Sequence, residues 1–304
     1  MARGRPSTFS IVAADPATGE VGVAVQSKYF AVGAVVPWAK AGVGAVATQA
    51  AGIAGYGPRV LALLEEGLPP AQALERALAD DPGRETRQLG VVDATGAAAA
   101  FTGADCNDWA GHEAAAGFAV QGNILAGEEV VREMARAFRE TAGALAERLV
   151  AALEAGQVAG GDRRGQQSAA VIAERSGAGA GKRLGLDRVC DLRVEDHERP
   201  IEELRRLLSI HERWDVLRRA FDHHAVQQYA EGAAVLSAGL ERFPDDPVLL
   251  YDLACYESMA GRGEDALGHL RQAVELDGSL RDLARGDSDF ASLKDDAELR
   301  ALLA

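Results

Sequence analysis

The sequence predicts an α+β protein: a layered sandwich of strands and helices, followed by an all-α helical repeat domain. Two observations indicate this. From Thr8 to about residue 195, blocks with strand-like alternation are interrupted by segments with helical spacing, in the order strands, helices, strands, helices, strands. From about Pro200 onward, only helical spacing remains. We therefore predict a sandwich domain over residues 1–212 and a helical repeat domain over residues 213–304.

The first two strand blocks are predicted to form an antiparallel hairpin. They read FSIVAAD and VGVAVQS, and the segment DPATGE separates them. Asp15 and Pro16 favour the start of a turn, and Gly19 supplies the positive φ that closes it. A third strand block, GVGAVATQ, follows the segment VVPWAK.

The middle of the chain alternates between the two patterns. The segment GPRVLALLEEGLPPAQALERALADDPG predicts two helices, and TRQLGVVDATGAAAAFTG predicts a second hairpin that turns at Ala94–Gly96. GFAVQGNIL is a further short strand, and the amphipathic stretch from about residue 128 to 154 predicts two more helices. GQQSAAVIAER and LDRVCDLRVED are two late strands. Hairpins with helices grouped between them favour a layered sandwich over a parallel sheet.

The C-terminal segment repeats at the spacing of tetratricopeptide helix pairs, which is about 34 residues. Leu236 and Leu270 stand 34 positions apart, and so do Gly239 and Ala273. Pro244 stands where a helix would break between units. We expect this module to support oligomerisation, as a homo-dimer or higher oligomer, or to bind a protein partner.

Composition excludes several classes of function. The chain has 304 residues and a formal net charge of −14, from 46 acidic and 32 basic residues, a sign that repels nucleic acid and anionic membranes. No apolar run is long enough for a membrane span and no signal peptide is recognised, so a cytoplasmic protein is predicted. The three cysteines lie far apart and predict neither disulfides nor a CxxC metal site.

Familiar cofactor and catalytic motifs are missing from the sequence. AGIAGYGPR lacks the lysine and hydroxyl of a P-loop and does not fit GxGxxG. The six histidines include no HxH or HExxH spacing, and no GxSxG nucleophile elbow occurs. We therefore predict no cofactor and no metal.

What remains is a set of polar residues whose neighbours are small or apolar. A threonine hydroxyl is a weak nucleophile without an adjacent base, and the α-amine of the same residue can supply one if that residue begins the mature chain. The residues of the set are Thr8, Ser27, Lys28, Lys40, Thr48, Gln49, Gln121–Asn123 and residues 160–168.

A resemblance to a known family rests on three of these stretches. The residues from Thr8 through ATQA, together with QGN and GGDRRGQQSAA, resemble the domain of unknown function 1028 family, which is classed as similar to N-terminal nucleophile (Ntn) hydrolases. The resemblance covers about Thr8 to His211. It implies a four-layer αββα sandwich and, as a function, an amide hydrolase acting on a small amide or peptide. The rival is a catalytically inactive Ntn-fold protein that binds a ligand or partner.

The resemblance also implies a division of roles. Thr8 would attack an amide, with its own amine as base, and Lys28 or Lys40 would keep that amine neutral. The oxyanion would be bound by backbone amides near Thr48 and Gln49 or by the Asn123 side chain. The remaining candidates are Asp162, which would orient the amine or the substrate, Arg163 and Arg164, which would bind an acidic group, and Ser27, which would contact substrate or oxyanion.

Each role has a structural alternative. Thr8 can be a strand-starting residue, and GGDRRG can be a loop that leads into a strand. The residues MARGRPS precede Thr8. Either the chain is cleaved before Thr8, or translation starts later than Met1, or Thr8 is not a nucleophile.

Overall fold

A computed structural model describes residues 8–179 and 186–304 of the chain. Its strands, numbered in chain order, are β1 Thr8–Asp15, β2 Glu20–Ser27, β3 Pro37–Lys40, β4 Gly44–Ala50, β5 Arg87–Asp93, β6 Ala98–Thr102, β7 Gly111–Ala115, β8 Phe118–Asn123, β9 Ser168–Arg175 and β10 Arg188–Val194. Its α-helices are α1 Tyr56–Glu65, α2 Pro70–Leu78, α3 Glu129–Glu140, α4 Leu145–Val158, α5 Pro200–His224, α6 Tyr229–Arg242, α7 Pro247–Met259, α8 Gly263–Leu276, α9 Leu280–Arg285 and α10 Ala297–Leu303.

The chain divides into two compact units, Met1–Leu208 and Ser209–Ala304. The division falls inside α5, and so does the boundary predicted at 212/213. The first unit is a mixed α+β structure with antiparallel sheets, and the second is all-helical. Among the described residues, no helix has the length and apolar character needed to cross a membrane.

Two antiparallel sheets form the centre of the first unit. One has the strand order β10-β9-β2-β1-β8-β7, and the other has the order β3-β4-β5-β6. The predicted hairpin of β1 and β2 is confirmed, with Gly19 at φ 74° and its amide hydrogen-bonded to the Asp15 carbonyl. The second predicted hairpin is confirmed in β5 and β6, where Gly96 has φ 89°.

Three apolar clusters arrange these elements in layers. Val12, Val23 and Ala45 belong to a cluster contributed by both sheets, so the sheets pack face to face. The outer face of the six-stranded sheet packs against α3, α4 and the first turns of α5. The outer face of the four-stranded sheet packs against α1 and α2. Helices therefore cover both outer faces of the paired sheets.

The second unit is built from helix pairs whose crossing points use small residues. A Cβ at Gly232 would lie 2.2 Å from the Tyr256 ring, and a Cβ at Gly239 would lie 2.5 Å from Val216. Leu236 and Leu270, the predicted equivalent positions, are both fully buried. Close approach at these glycines is what allows the helices to bury their apolar faces.

Candidate functional site

Buried polar side chains fill one end of the space between the two sheets. In β1, Thr8 and Ser10 face the same side as Val12, because alternate residues of a strand share a face. We call the group the polar cluster; each of its residues is at most 2% exposed, and its members are Thr8, Ser10, Ser27, Gln49, Gln88, Gln121 and Asn123.

Thr8 begins β1, a central strand of the larger sheet. In the register of the sheet it stands between Ser27 of β2 and Asn123 of β8. The Thr8 and Ser27 hydroxyl oxygens are 3.1 Å apart. The structure therefore brings together three of the residues that the sequence singled out.

Gln49 joins them from the opposite sheet. Its Nε2 donates to the carbonyl oxygen of Thr8 at 3.2 Å, and its Oε1 accepts from the Ser10 hydroxyl at 2.6 Å. The Ser10 oxygen in turn accepts from Gln121 Nε2 at 2.6 Å. These bonds connect the two sheets at the end where Thr8 lies.

Asp162 accepts hydrogen bonds from backbone N–H groups beside the polar cluster. Its side chain is fully buried, and its Oδ2 accepts from the backbone N–H of Lys28 at 3.0 Å. Its Oδ1 accepts from the backbone N–H of Arg164 at 2.8 Å, and the Arg164 guanidinium pairs with the carboxylate at 3.1 Å. Asp162 thus anchors Lys28, the residue that follows Ser27.

The two remaining basic candidates near this loop also contact the main chain. The Lys28 ammonium is exposed and donates to the Gln166 carbonyl at 3.1 Å. The Arg163 guanidinium donates to the Asp108 carbonyl at 3.4 Å. Both lie in segments that border the polar cluster.

The expectation that Lys40 lies near Thr8 is wrong. Lys40 pairs with Gly44 at the start of β4, whereas Gln49, the residue that contacts Thr8, is five positions further along β4. At about 3.3 Å per residue, that separation is roughly 16 Å. The Lys40 ammonium instead forms an exposed ion pair with Glu65 at 2.6 Å.

Thr48 also faces away from Thr8. Strand alternation turns its side chain to the other face of β4 from Gln49, and its hydroxyl donates to the Ile53 carbonyl at 3.3 Å. Its backbone N–H donates to the Val36 carbonyl at 3.1 Å, so this amide is already bonded. The expectation that the Thr48 amide binds an oxyanion is therefore wrong.

Sequence reasoning missed Ser10 and Gln88. Both are polar residues in otherwise apolar strands, in TFSIVAAD and RQLGVVD. Each also shares its strand face with apolar residues of the core between the sheets, Val12 and Val92. A polar residue on the buried face of a strand is the signal that would have identified them, because such groups need internal partners.

Hydroxyl and amide groups alone make up the polar cluster as described, and none of them titrates near neutral pH. Through Gln88 and Thr102 the cluster is linked to a titratable side chain, His112, whose Nδ1 lies 2.8 Å from the Thr102 hydroxyl. Burial lowers the pKa of His112, which favours the neutral ring. The MARGRPS leader, residues 1–7, lies outside the described residues.

A separate group of ligand-type atoms lies in the helical unit. Donor atoms of Cys255, Asp287 and Asp289 lie within 4.8 Å of one another. The Asp287 carboxylate accepts from the Tyr251 hydroxyl at 2.7 Å and from the Asp289 backbone N–H at 3.0 Å. These bonds give Asp287 a structural role in starting the short 3₁₀ helix Ser288–Leu293.

The model of the family of unknown function DUF1028 matches residues 8–204, which is well over half of the chain. The chain belongs to the DUF1028 family. The matched residues of this DUF1028 domain include the whole polar cluster and Asp162.

A solved structure supports the same assignment. The chain is similar to the crystal structure of protein SPO2555 from Silicibacter pomeroyi, a DUF1028 protein, with 33% sequence identity and a TM-score of 0.60. The similarity covers 67% of this chain and 88% of that one. No curated protein matches the chain.

Proposed function

We propose that the DUF1028 domain is an Ntn-type amide hydrolase in which Thr8 is the nucleophile. The observation that carries the proposal is the position of its hydroxyl. It lies at the first residue of a central strand, between two packed sheets, and 3.1 Å from the Ser27 hydroxyl. The helix–sheet–sheet–helix layering of the unit supports an Ntn-type sandwich.

The chemistry of the polar cluster limits what can act as the base. Its described side chains carry amides and hydroxyls, which do not accept a proton near pH 7. The α-amine of Thr8, with a pKa near 8 when free, can accept one. The proposal therefore requires a chain that begins at Thr8, because residue 7 otherwise holds this nitrogen in a peptide bond.

The reaction then follows acyl transfer. Thr8 Oγ1 attacks the carbonyl carbon of a small amide or peptide while the amine takes the hydroxyl proton. The amine then delivers this proton to the leaving nitrogen as the C–N bond breaks. Water, deprotonated by the same amine, cleaves the resulting ester and restores the Thr8 hydroxyl. The Asn123 amide, on the strand beside Thr8, is the proposed donor to the oxyanion.

The N-terminus provides the first test. The intact mass of the purified protein is compared with that of a chain made to start at Thr8 by cleavage of an N-terminal fusion. We expect the Thr8-terminal form to hydrolyse members of a panel of small amides and peptides, and the form with residues 1–7 attached to be inactive. Equal activity of the two forms would exclude the α-amine as the base.

The burial of Thr8 favours a second candidate function, that of a catalytically inactive domain which binds a ligand or a partner. Thr8 is only 2% exposed, and its hydroxyl and carbonyl both have hydrogen-bond partners. Such a residue stabilises the ends of the strands. The second candidate predicts no turnover by the Thr8-terminal form over the whole panel, together with an unchanged fold.

For the helical unit we propose a tetratricopeptide-like module that mediates oligomerisation or binds a protein partner. The buried pair Leu236 and Leu270, one repeat apart, and the close helix contact at Gly232 support it. Analytical ultracentrifugation of the full chain tests the expected homo-dimer or higher oligomer. A monomer at all concentrations would leave partner binding as the function of the module.

A further inference from the structure

Gln88 lies at the centre of a hydrogen-bond network in the polar cluster. It is fully buried on β5. Its two Nε2 hydrogens are shared among three acceptors, which are the carbonyl oxygens of Gly122 at 2.7 Å and Gly111 at 3.1 Å and the Thr102 hydroxyl at 3.0 Å. Carbonyl oxygens only accept hydrogen bonds, so the side chain of Gln88 has one favourable orientation.

That orientation determines those of its neighbours. The Oε1 of Gln88 must accept, and it receives hydrogen bonds from Gln49 Nε2 and Asn123 Nδ2, both at 2.9 Å. Gln49 therefore presents its nitrogen, which also reaches the Thr8 carbonyl. Reversing the Gln88 amide would place its nitrogen against two other N–H₂ groups and its oxygen against two carbonyl oxygens.

The same residue connects the cluster to solvent. Thr102 accepts from Gln88, so its own hydrogen is free to be donated to His112 Nδ1, 2.8 Å away. His112 and Thr102 line a groove of about 510 Å³, together with Cys106 and Asp108. A chain of hydrogen bonds thus runs from this groove to the interior of the sandwich.

We propose that Gln88 is a positioning residue for Thr8, which orients the Gln49 and Asn123 amides and links them to His112 in the groove. Its effect on turnover rests on the proposed hydrolase function. Its effect on the amide orientations does not, and the two can be measured separately.

The test compares two buried glutamines of the same unit. Gln88→Met removes the central amide. Gln26→Met is the matched control: Gln26 is also fully buried, but both polar atoms of its side chain lack hydrogen-bond partners in the described part of the chain. Side-chain amide resonances are recorded by NMR on the full chain labelled with ¹⁵N at glutamine and asparagine.

We expect Gln88→Met to shift the side-chain resonances of Gln49 and Asn123, and Gln26→Met to leave them in place. In a form that turns over an amide, Gln88→Met should lower kcat about 100-fold with KM changed less than about threefold, as expected for lost orientation. If Gln88→Met shifts the Gln49 and Asn123 resonances but the wild type hydrolyses no amide, the hydrolase proposal is rejected and the orienting role of Gln88 is retained. Unshifted resonances, or an unchanged kcat in an active enzyme, would overturn the role of Gln88.

Thr102→Val keeps the test informative if Gln88→Met does not fold. It removes the Thr102 bonds to Gln88 and to His112, and it leaves the two carbonyl contacts of Gln88. The His112 ring resonance, assigned with His112→Gln, is followed against pH in a groove that also contains Asp108 and Cys106. We expect the pKa of His112 to rise, because valine cannot donate to the neutral ring. An unchanged pKa would overturn the proposed link.

Discussion

The hydroxyl oxygens of Thr8 and Ser27 lie 3.1 Å apart at the open end of the β1–β2 hairpin. The turn at the other end of the hairpin sets this pairing, since it aligns Asp15 with Glu20 and therefore Thr8 with Ser27. Either hydroxyl can donate to the other. Ser27 can therefore orient the Thr8 oxygen, but a serine hydroxyl does not act as a base near neutral pH.

Substitution of Thr8 tests its role as nucleophile in the Thr8-terminal chain. Thr8→Val keeps the shape and β-branching but removes the hydroxyl, so turnover should fall at least about 1000-fold. Thr8→Ser, the matched control, should keep turnover within about tenfold of wild type because it retains both hydroxyl and amine. Steady-state kinetics measures both. Retained activity in Thr8→Val would place the nucleophile elsewhere.

Lys40→Met should have little effect on either the free energy of unfolding or turnover. Its ammonium pairs with Glu65 on the surface, and both side chains are about half exposed, at 49% and 54%. Exposed ion pairs contribute little, so we expect the free energy of unfolding to change by less than about 1 kcal/mol. Turnover should stay at the wild-type level. A large loss of activity would show that Lys40 approaches the site in a way that its position at the end of β3 does not explain.

Gly90→Ala should destabilise the sandwich. A Cβ at Gly90 would lie 2.0 Å from Gln121 Oε1, and the Gln121 side chain is fully buried and held by Ser10. We expect a loss of about 1–3 kcal/mol, as for other overpacked cores. Urea denaturation followed by circular dichroism measures it.

Gly127→Ala serves as the control for Gly90→Ala. A Cβ at Gly127 would meet no atom within 4 Å, so the free energy of unfolding should change by less than about 0.5 kcal/mol. Equal effects of the two substitutions would contradict the close contact between Gly90 and Gln121.

Asp252→Asn should stabilise the helical unit at neutral pH. Burial, followed by the charges of Asp287, Asp289 and Asp246, raises the pKa of Asp252 to about 6. A raised carboxyl pKa means that ionisation costs folding energy: the cost is absent below the unfolded pKa of about 3.9 and complete above pH 6. The mutant's advantage should therefore appear between about pH 4 and 6 and reach at most about 3 kcal/mol.

The pH dependence of unfolding, compared between wild type and Asp252→Asn, measures this effect. Asp265→Asn is the control, because Asp265 is an exposed residue of α8 with a 58% exposed side chain. It should give no comparable pH-dependent gain. A gain in Asp252→Asn that is the same at pH 4 and pH 7 would exclude ionisation of Asp252 as its cause.

Local sequence patterns predicted most of the helices and strands, but they did not predict two of the strands. The hairpins and the helices of residues 56–78 and 129–158 follow from turn residues and apolar spacing. β3 and β7 were not predicted. PWAK is short, and GHEAA is an edge strand with few apolar side chains, so neither carries a strand pattern. Pairing with a neighbour is what makes both of them strands.

The sequence by itself determined which residues of a strand share a face, because side-chain alternation is a local property of the chain. Polar residues such as Thr8, Gln49 and Asn123 stood out on apolar strands for the same reason. Only the tertiary structure decided which strand ends meet. In the folded protein, Gln49 contacts Thr8, whereas Lys40 of β3 pairs with Gly44 at the opposite end of β4 from Gln49. This arrangement depends on sheet order and on the stacking of one sheet on the other, which are set by contacts between residues distant in the chain.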